Sequence, residues 1–292
     1  MNERSEPGGA GGRPPTGRIH GRTHEWQGRT LGSRTVTYDE TRPILYALAV
    51  GAGAADLDLV FEERLRVLPT FVLTLAQWAP DVLGSAGAFD VRTAVHGTQR
   101  LRVLKPLPRS GSVEMSARVT DVWDKGSAAV FDVAVESEYF EATWSLFAPG
   151  SGGFGGERGP SSRRRPEGGP DGALTVRTAS GQAALYRLLG DRHHLHIDPE
   201  AAKAAGMPRP IMHGLCTLAA VTLPLAESLG AHPADLAELE GRFAAPVFPG
   251  DALQVSTWRD GAGPDGEAVL FEAAVDGTTV ISGGRARFAA AR

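Results

Sequence analysis

The sequence predicts an α+β fold made of two copies of one unit, a helix laid on an antiparallel meander. Three observations carry that reading. After Asp90 the apolar period changes to about two, the spacing of half-buried strands, and keeps it to Phe147. The same succession, helical segment and then strand-like segments, recurs after a Gly-rich break near Pro149. A Pro- and Gly-bearing turn precedes the second strand of each meander, Pro106-Leu107-Pro108-Arg109-Ser110-Gly111 in the first half and Pro246-Val247-Phe248-Pro249-Gly250 in the second. Two successive units of about 115 residues argue for an internal duplication.

Residues 1–33 are dominated by Gly, Arg, Pro and Thr and are expected to be mostly disordered, with Trp26 and Leu31 docking the end of the segment. Residues 34–148 form the first repeat. Thr35-Val36-Thr37-Tyr38 reads as a short strand, and Asp39 as the N-cap of a helix through Ile44, Leu45, Tyr46, Leu48 and Ala49 to Gly51. A second, short apolar helix starts near Pro69-Thr70, with Phe71, Val72, Leu73 and Leu75. Val91 to Val103, Ser112 to Trp123, Ala128 to Val135 and Tyr139 to Phe147 form the meander. Residues 149–172, rich in Gly, Arg and Pro, read by composition as a flexible linker.

Residues 173–292 form the second repeat. Leu174 to Arg177 is a short strand, and Ser180 caps a helix through Ala183, Ala184, Tyr186 and Leu188. Asp198-Pro199-Glu200 supplies N-cap and first-turn chemistry for a short helix ending at Gly206. Ile211 to Leu229 is the longest apolar helix, and Gly241 to Val247, Ala252 to Trp258, Ala268 to Val275 and Thr278 to Phe288 are the closing strands. The first core helix reads as much shorter than its partner. The halves are therefore expected to be specialised, with chemistry in the second and space for a ligand in the first.

Composition limits the function classes. With 292 residues, 42% of them hydrophobic, and a net charge of -4, the chain is an ordinary globular protein and suggests neither nucleic acid nor an anionic membrane as partner. No apolar run approaches the roughly 18 residues of a membrane span, no signal-peptide core is visible, and Ala289-Ala290-Ala291-Arg292 is not a peroxisomal tripeptide. The single cysteine, Cys216, lies in an apolar helical pattern, reads as core, and fits a reducing cytoplasm.

The chemistry-bearing stretch is Gly190-Asp191-Arg192-His193-His194-Leu195-His196. Asp191 and His196 are separated by one short loop, so a carboxylate and an imidazole can share a water and exchange protons with it near neutral pH. His213-Gly214 opens the long helix, where unpaired N–H groups and the positive dipole end suit a developing oxyanion. His193, His194 and His196 invite a metal reading, but a loop trio beside Asp191 matches zinc spacing weakly and no metal is expected. A plainer alternative stays open, in which Asp191 and His196 only cap helices. Lys125 in Asp124-Lys125-Gly126 reads by default as a solvated turn residue.

At these positions the chain resembles the MaoC-like dehydratases, specifically the two-repeat (R)-specific enoyl-CoA hydratases called hydratase 2. The resemblance rests on Tyr186, Gly190-Asp191, Leu195-His196-Ile197-Asp198-Pro199 and Pro210-Ile211-Met212-His213-Gly214. It extends to Leu45–Gly51, Leu68-Pro69-Thr70-Phe71, Val95-His96-Gly97, Asp124-Lys125-Gly126, Ser151-Gly152-Gly153-Phe154-Gly155-Gly156 and Arg242–Val247, and so spans residues 24–290. Two positions depart from the pattern: the family's Asn-Pro is His193-His194, and the Glu often following the first His-Gly is Thr98.

The resemblance implies a double hotdog, in which one chain mimics a hotdog dimer, and a β-oxidation type of activity, reversible hydration of a (2E)-enoyl-CoA to the (3R)-3-hydroxyacyl-CoA. It implies Asp191, His196 and Gly214 as catalytic groups and Glu62 as a supporting acid of the first half. His96, Gly97, Lys125, His193, His213 and Phe243 would border the acyl-CoA. No cofactor is expected. The substrate is a CoA or carrier-protein thioester, the chain is expected to form a homodimer, and the rival readings are an acyl-CoA thioesterase and a catalytically silent acyl-CoA-binding subunit.

Overall fold

The computed structural model of the chain describes residues 23–161, 163–263 and 266–290. The disorder expected for residues 1–22 lies outside them.

The first repeat consists of β1 (Thr30–Tyr38), α1 (Thr41–Val50), α2 (Leu57–Val60), α3 (Val72–Ala76), α4 (Trp78–Ser85), β2 (Val95–Val103), β3 (Gly111–Asp124), β4 (Ala128–Glu136) and β5 (Phe140–Pro149). The second consists of β6 (Gly172–Arg177), α5 (Gln182–Tyr186), α6 (Pro199–Ala204), α7 (Gly214–Ser228), β7 (Leu236–Phe243), β8 (Ala252–Gly263), β9 (Gly266–Val275) and β10 (Thr278–Phe288). All strands join one antiparallel sheet in the order β1-β3-β4-β5-β2-β7-β10-β9-β8-β6. That order is a palindrome of the two repeats. Its centre is the β2–β7 pairing, which runs from Thr98 opposite Arg242 to Arg102 opposite Glu238.

Strand alternation explains which face is buried. Along β3, Val113, Met115, Ala117 and Val119 point into the core while Glu114, Ser116 and Arg118 face out. The helices lie on the buried face over Phe131, Phe140, Trp144, Phe271 and Phe288, and add Phe71 from their own side, all under 2% exposed. Each such side chain contributes roughly 1.5–3 kcal/mol relative to exposure. Among the described residues no helix is long and apolar enough to cross a membrane.

Several expectations are met locally. The cap position of α1 falls to Glu40, one residue past the expected Asp39, whose carboxylate still accepts the Thr41 N–H, 3.1 Å, while Gly51 closes α1 in the left-handed region at φ 111° as expected. Asp198 caps α6 through the Glu200 N–H, 2.9 Å, with Pro199 in the first turn. Trp26 and Leu31 pack against the core.

Other expectations are corrected. β1 begins at Thr30, inside the segment expected to be disordered, because it finds β3 as a partner from Thr30 to Tyr38. Val91–Ala94 turns instead of extending, since Arg92 folds back on Asp90 at 2.8 Å. Ser180 caps nothing; Gln182 Oε1 accepts the Ala179 N–H at that end of α5. β7 starts at Leu236, not at Gly241, and α7 starts at Gly214, not at Ile211, because the Met212 N–H is drawn to the Val247 carbonyl, 2.7 Å.

The first core helix is not short. A 3-10 turn (Pro69–Phe71), α3 and α4 run almost continuously to Ser85, broken only at Gln77. Pro80 lacks the N–H that would bond to the Ala76 carbonyl, which accounts for the break. The shortened helix therefore no longer argues for acyl space in the first repeat.

The linker is a pinned strap. Asp124 accepts the N–H groups of Gly126, Gly153 and Gly155 at 2.8–2.9 Å, and these bonds, led by Gly153, hold its carboxyl down at about 2. Farther on, Arg163 pairs with Glu240, 3.2 Å, and Arg165 pairs with Glu272 and lies over Trp258. The strap thus crosses the outer face of the sheet from β3 to β8. Single surface pairs are worth ~0–1 kcal/mol, so the anchoring is distributed, with the Asp124 cradle at one end.

Candidate active site

The loop that carries Asp191 and His196 leaves a 3-10 turn at Arg187–Leu189 and is held from the first repeat. Arg42 of α1 donates to the Leu189 carbonyl, 3.3 Å. Gly190 packs closely on α3: a Cβ there would lie 3.1 Å from the Thr74 carbonyl oxygen, so a larger residue would push the loop and α3 apart by a few tenths of an ångström.

Asp191 Oδ1 accepts the His193 N–H, 3.1 Å, which leaves Oδ2 facing His196 Nε2 at 3.9 Å. His196 Nδ1 lies 3.0 Å from the Ile211 carbonyl, so that nitrogen carries the proton and Nε2 presents a lone pair toward Asp191. Burial, chiefly, pushes the His196 imidazole below its usual value and the Asp191 charge opposes it, so the ring is neutral at neutral pH. His193 Nδ1 accepts the Leu195 N–H, 3.2 Å. That is the turn-closing bond an Asn side chain makes two residues back in an Asx-turn, so His193 can replace Asn at this position without opening the loop.

His213 caps the entry to α7 and makes no side-chain cap bond. Helix geometry leaves the N–H groups of Gly214, Leu215 and Cys216 without backbone acceptors, and Thr217 is the first to bond back, to the His213 carbonyl. A Cβ on Gly214 would lie 3.0 Å from the Phe243 ring, whose other neighbour is His96, with ring centroids 4.8 Å apart. Phe243 of β7 and His96 of β2 thus join the repeats beside the free helix terminus. His96 bonds the Thr98 carbonyl, 3.1 Å, and burial pushes its pKa down to about 4. Neighbouring Gly97 packs against the Ser145 carbonyl, 3.2 Å from where its Cβ would be.

Three assignments change. His213 is 2% exposed and stacks on His196 with ring centroids 3.6 Å apart, so it stands behind the pair instead of lining a substrate channel. Lys125 is not a solvated turn residue: its ammonium is turned onto the Arg158 and Pro160 carbonyls of the strap. Glu62 is exposed, its backbone carbonyl accepts from Arg109, and no described bond joins its carboxylate to the loop. Cys216 is fully buried, as its apolar pattern suggests, and burial pushes its thiol well up.

Asp191, His196 and His213 present ligand-type atoms within 4.8 Å of one another. The two imidazoles are stacked at 25°, however, and each lone pair lies in its own ring plane. One ion cannot lie in both planes at the ~2.0–2.1 Å of a zinc–imidazole bond, so the set is a poor chelate.

Two residues escaped the sequence reading. Tyr186 belongs to the motif without a role; it is 2% exposed, with its ring 4.8 Å from His213 and its hydroxyl without a protein partner. Asp81 of α4 lines a surface cavity with Arg34, Trp78 and Val82, and its carboxyl is pushed up by burial and then by the charge of Asp191. Nothing local in the sequence around Asp81 relates it to a loop over a hundred positions away.

Comparison with known proteins gives matches along both repeats. Residues 36–148 match the MFE-2 hydratase 2 N-terminal domain, and residues 162–280 match the MaoC like domain. The chain is 39% identical over 234 residues to "Enoyl-CoA hydratase ChsH3" of Mycobacterium tuberculosis, covering 74% of this chain and 82% of that protein. It is 38% identical over 253 residues to "Peroxisomal multifunctional enzyme type 2" of Mus musculus, covering 80% of this chain but 34% of that much longer protein. Among solved structures, a MaoC-like dehydratase from Phytophthora capsici superposes with TM-score 0.80 at 27% identity over 91% of this chain and 96% of that one. A Mycobacterium tuberculosis protein described as having a double hotdog fold superposes with TM-score 0.53 at 16% identity, covering 90% of this chain and 96% of that one, a likeness of fold alone. The chain is a double hotdog and belongs to the MaoC-like dehydratase family, in its two-repeat hydratase 2 form.

Proposed function

We propose that the chain is a lyase that reversibly hydrates a (2E)-enoyl-CoA to the (3R)-3-hydroxyacyl-CoA. The observation that carries this reading is the 3.9 Å gap between His196 Nε2 and Asp191 Oδ2. It exceeds a hydrogen bond, and a water about 2.8 Å from each atom fits it as a common donor. Both atoms are acceptors, so the water's hydrogens point at the protein and an oxygen lone pair at the substrate.

The thioester carbonyl oxygen accepts the Gly214 N–H at the start of α7, where the dipole stabilises the negative charge that builds as the water oxygen bonds to the β carbon. One proton leaves the water for the Asp191–His196 pair, and one proton passes from the pair to the α carbon. The net change is addition of H and OH across the double bond, with the enzyme regenerated.

Phe243, His96 and Gly97 border the thioester, and His193 edges the loop. Carrier-protein thioesters are chemically equivalent substrates at the reacting carbons. Tethering of Lys125 to the strap favours a role in shaping the entrance over direct phosphate contact. The single buried cysteine fits a reducing cytoplasm, and a homodimer is the expected assembly.

The test mixes the protein with crotonyl-CoA and longer enoyl-CoAs while following enoyl absorbance and free thiol. Hydration removes absorbance without releasing thiol. Thiol release would mark a thioesterase, and binding without either signal would mark a silent subunit.

A further inference from the structure

We propose that His213 is a positioning residue that sets both water-binding groups at once, tethering the Asp191 backbone through Nε2–H and holding the His196 ring by stacking. The proposal rests on the hydration reading and concerns a residue that touches neither water nor substrate in it.

Three contacts converge on this one imidazole. Its Nε2 lies 3.1 Å from the Asp191 carbonyl oxygen, an obligate acceptor, so Nε2 carries the proton. Its face covers His196, with centroids 3.6 Å apart and planes 25° from parallel. Tyr186 also packs on it, with ring centroids 4.8 Å apart and planes tilted by 46°, so the ring has two aromatic neighbours. The residue is also the N-cap of α7, so its backbone leads directly into the Gly214 N–H. One buried side chain thereby fixes the relative places of the carboxylate, the imidazole and the oxyanion donor. Misplacement of such groups by about 1 Å can cost on the order of 10²-fold in rate.

His213 itself is unsuited to proton transfer. It is 2% exposed, its Nδ1 has no protein partner, and burial, chiefly, holds its imidazole well below the usual value, because a second positive charge against the stacked His196 ring would be unfavourable. It remains a neutral Nε2–H tautomer across the working range.

Two variants separate the contacts. His213→Gln keeps an amide N–H in reach of the Asp191 carbonyl and removes the stacked ring; His213→Phe keeps the ring and removes the donor. Each is compared with wild type for kcat, KM and pH profile after melting curves establish folding, and long-range proton–nitrogen spectra of the wild-type imidazoles need no turnover. The expected results are a kcat loss of about tenfold or more in His213→Phe with KM within about threefold, and an acid limb of kcat moved upward in His213→Gln as His196 loses its cover. The spectra should give His213 as a neutral Nε2–H ring.

A raised KM with unchanged kcat in both variants would make His213 a substrate contact and overturn the proposal. So would kcat and pH profiles like wild type in both, or a His213 ring that carries its proton on Nδ1 or titrates near 6.5. If either variant fails to fold, the other and the spectra still decide. Absence of hydration by wild type would instead defeat the reading of the reaction, and the tautomer would still be tested.

Discussion

His196 Nε2 stands 3.9 Å from Asp191 Oδ2, each residue being held there by a bond through its other polar atom. Ile211 fixes the imidazole through Nδ1, and the His193 N–H fixes the carboxylate through Oδ1. The gap is therefore built in, and it has the span of one shared water.

The pH dependence follows from burial. His196 must be neutral to accept from water, and its pKa is lowered from 6.5, so kcat should stay level down to about pH 6.5 and fall only below it. An acid limb centred above 6.5 in a kcat–pH profile would contradict the burial argument.

Stability has its own acid dependence. Burial pushes the His96 imidazole down to about 4 and holds the His213 imidazole below the ordinary 6.5 in the folded chain. Between those values the unfolded chain binds more protons, so the free energy of unfolding falls as pH drops from 6.5 toward 4. Urea melts at neutral pH and at about pH 5 should give a lower midpoint at the acid value with little change in slope.

Gly214→Ala separates chemistry from folding. A Cβ would press on the Phe243 ring at 3.0 Å, displacing the wall beside the N–H that receives the thioester oxygen. The expected outcome is a melting temperature lowered by no more than overpacking of about 1–3 kcal/mol would give, with a kcat loss of about tenfold or more in protein that is still fully folded, read from melting curves and enoyl-CoA kinetics on the same preparation.

Replacing His193 tests its place in the loop. His193→Asn keeps an acceptor for the Leu195 N–H and should retain activity within about threefold, while His193→Ala loses that bond and about 0.5–2 kcal/mol of local capping. Equal activity of the two variants would show that the bond does not hold the loop.

Asp124→Ala removes the acceptor shared by Gly126, Gly153 and Gly155. Limited proteolysis should then cut the strap within residues 151–161 faster than in wild type. Unchanged cleavage would mean that the arginine pairs hold the strap without the Asp124 cradle.

What could be read from the sequence was local. Asp198-Pro199 specified the start of α6 because a cap is decided within three residues, and alternation marked β3 because period two survives any partner. The pair Asp191 and His196 was legible because one short loop joins them. Burial depth was not: His213 follows the same motif, but its inward direction depends on Tyr186 and His196 closing over it. The strap misled by composition, since Arg163 and Arg165 acquire partners only when Glu240 and Glu272 arrive from distant strands. Pro80 concealed the length of the first core helix in the same way, because packing against the sheet restores what propensity denies.

The central claim is that Asp191 and His196 jointly hold the attacking water. Steady-state hydration of crotonyl-CoA by wild type, Asp191→Asn and His196→Ala, with folding matched by melting curves, tests it most directly. A loss of kcat on the order of 10²-fold or more in each variant is the predicted result. Activity near wild type in either one would contradict the account.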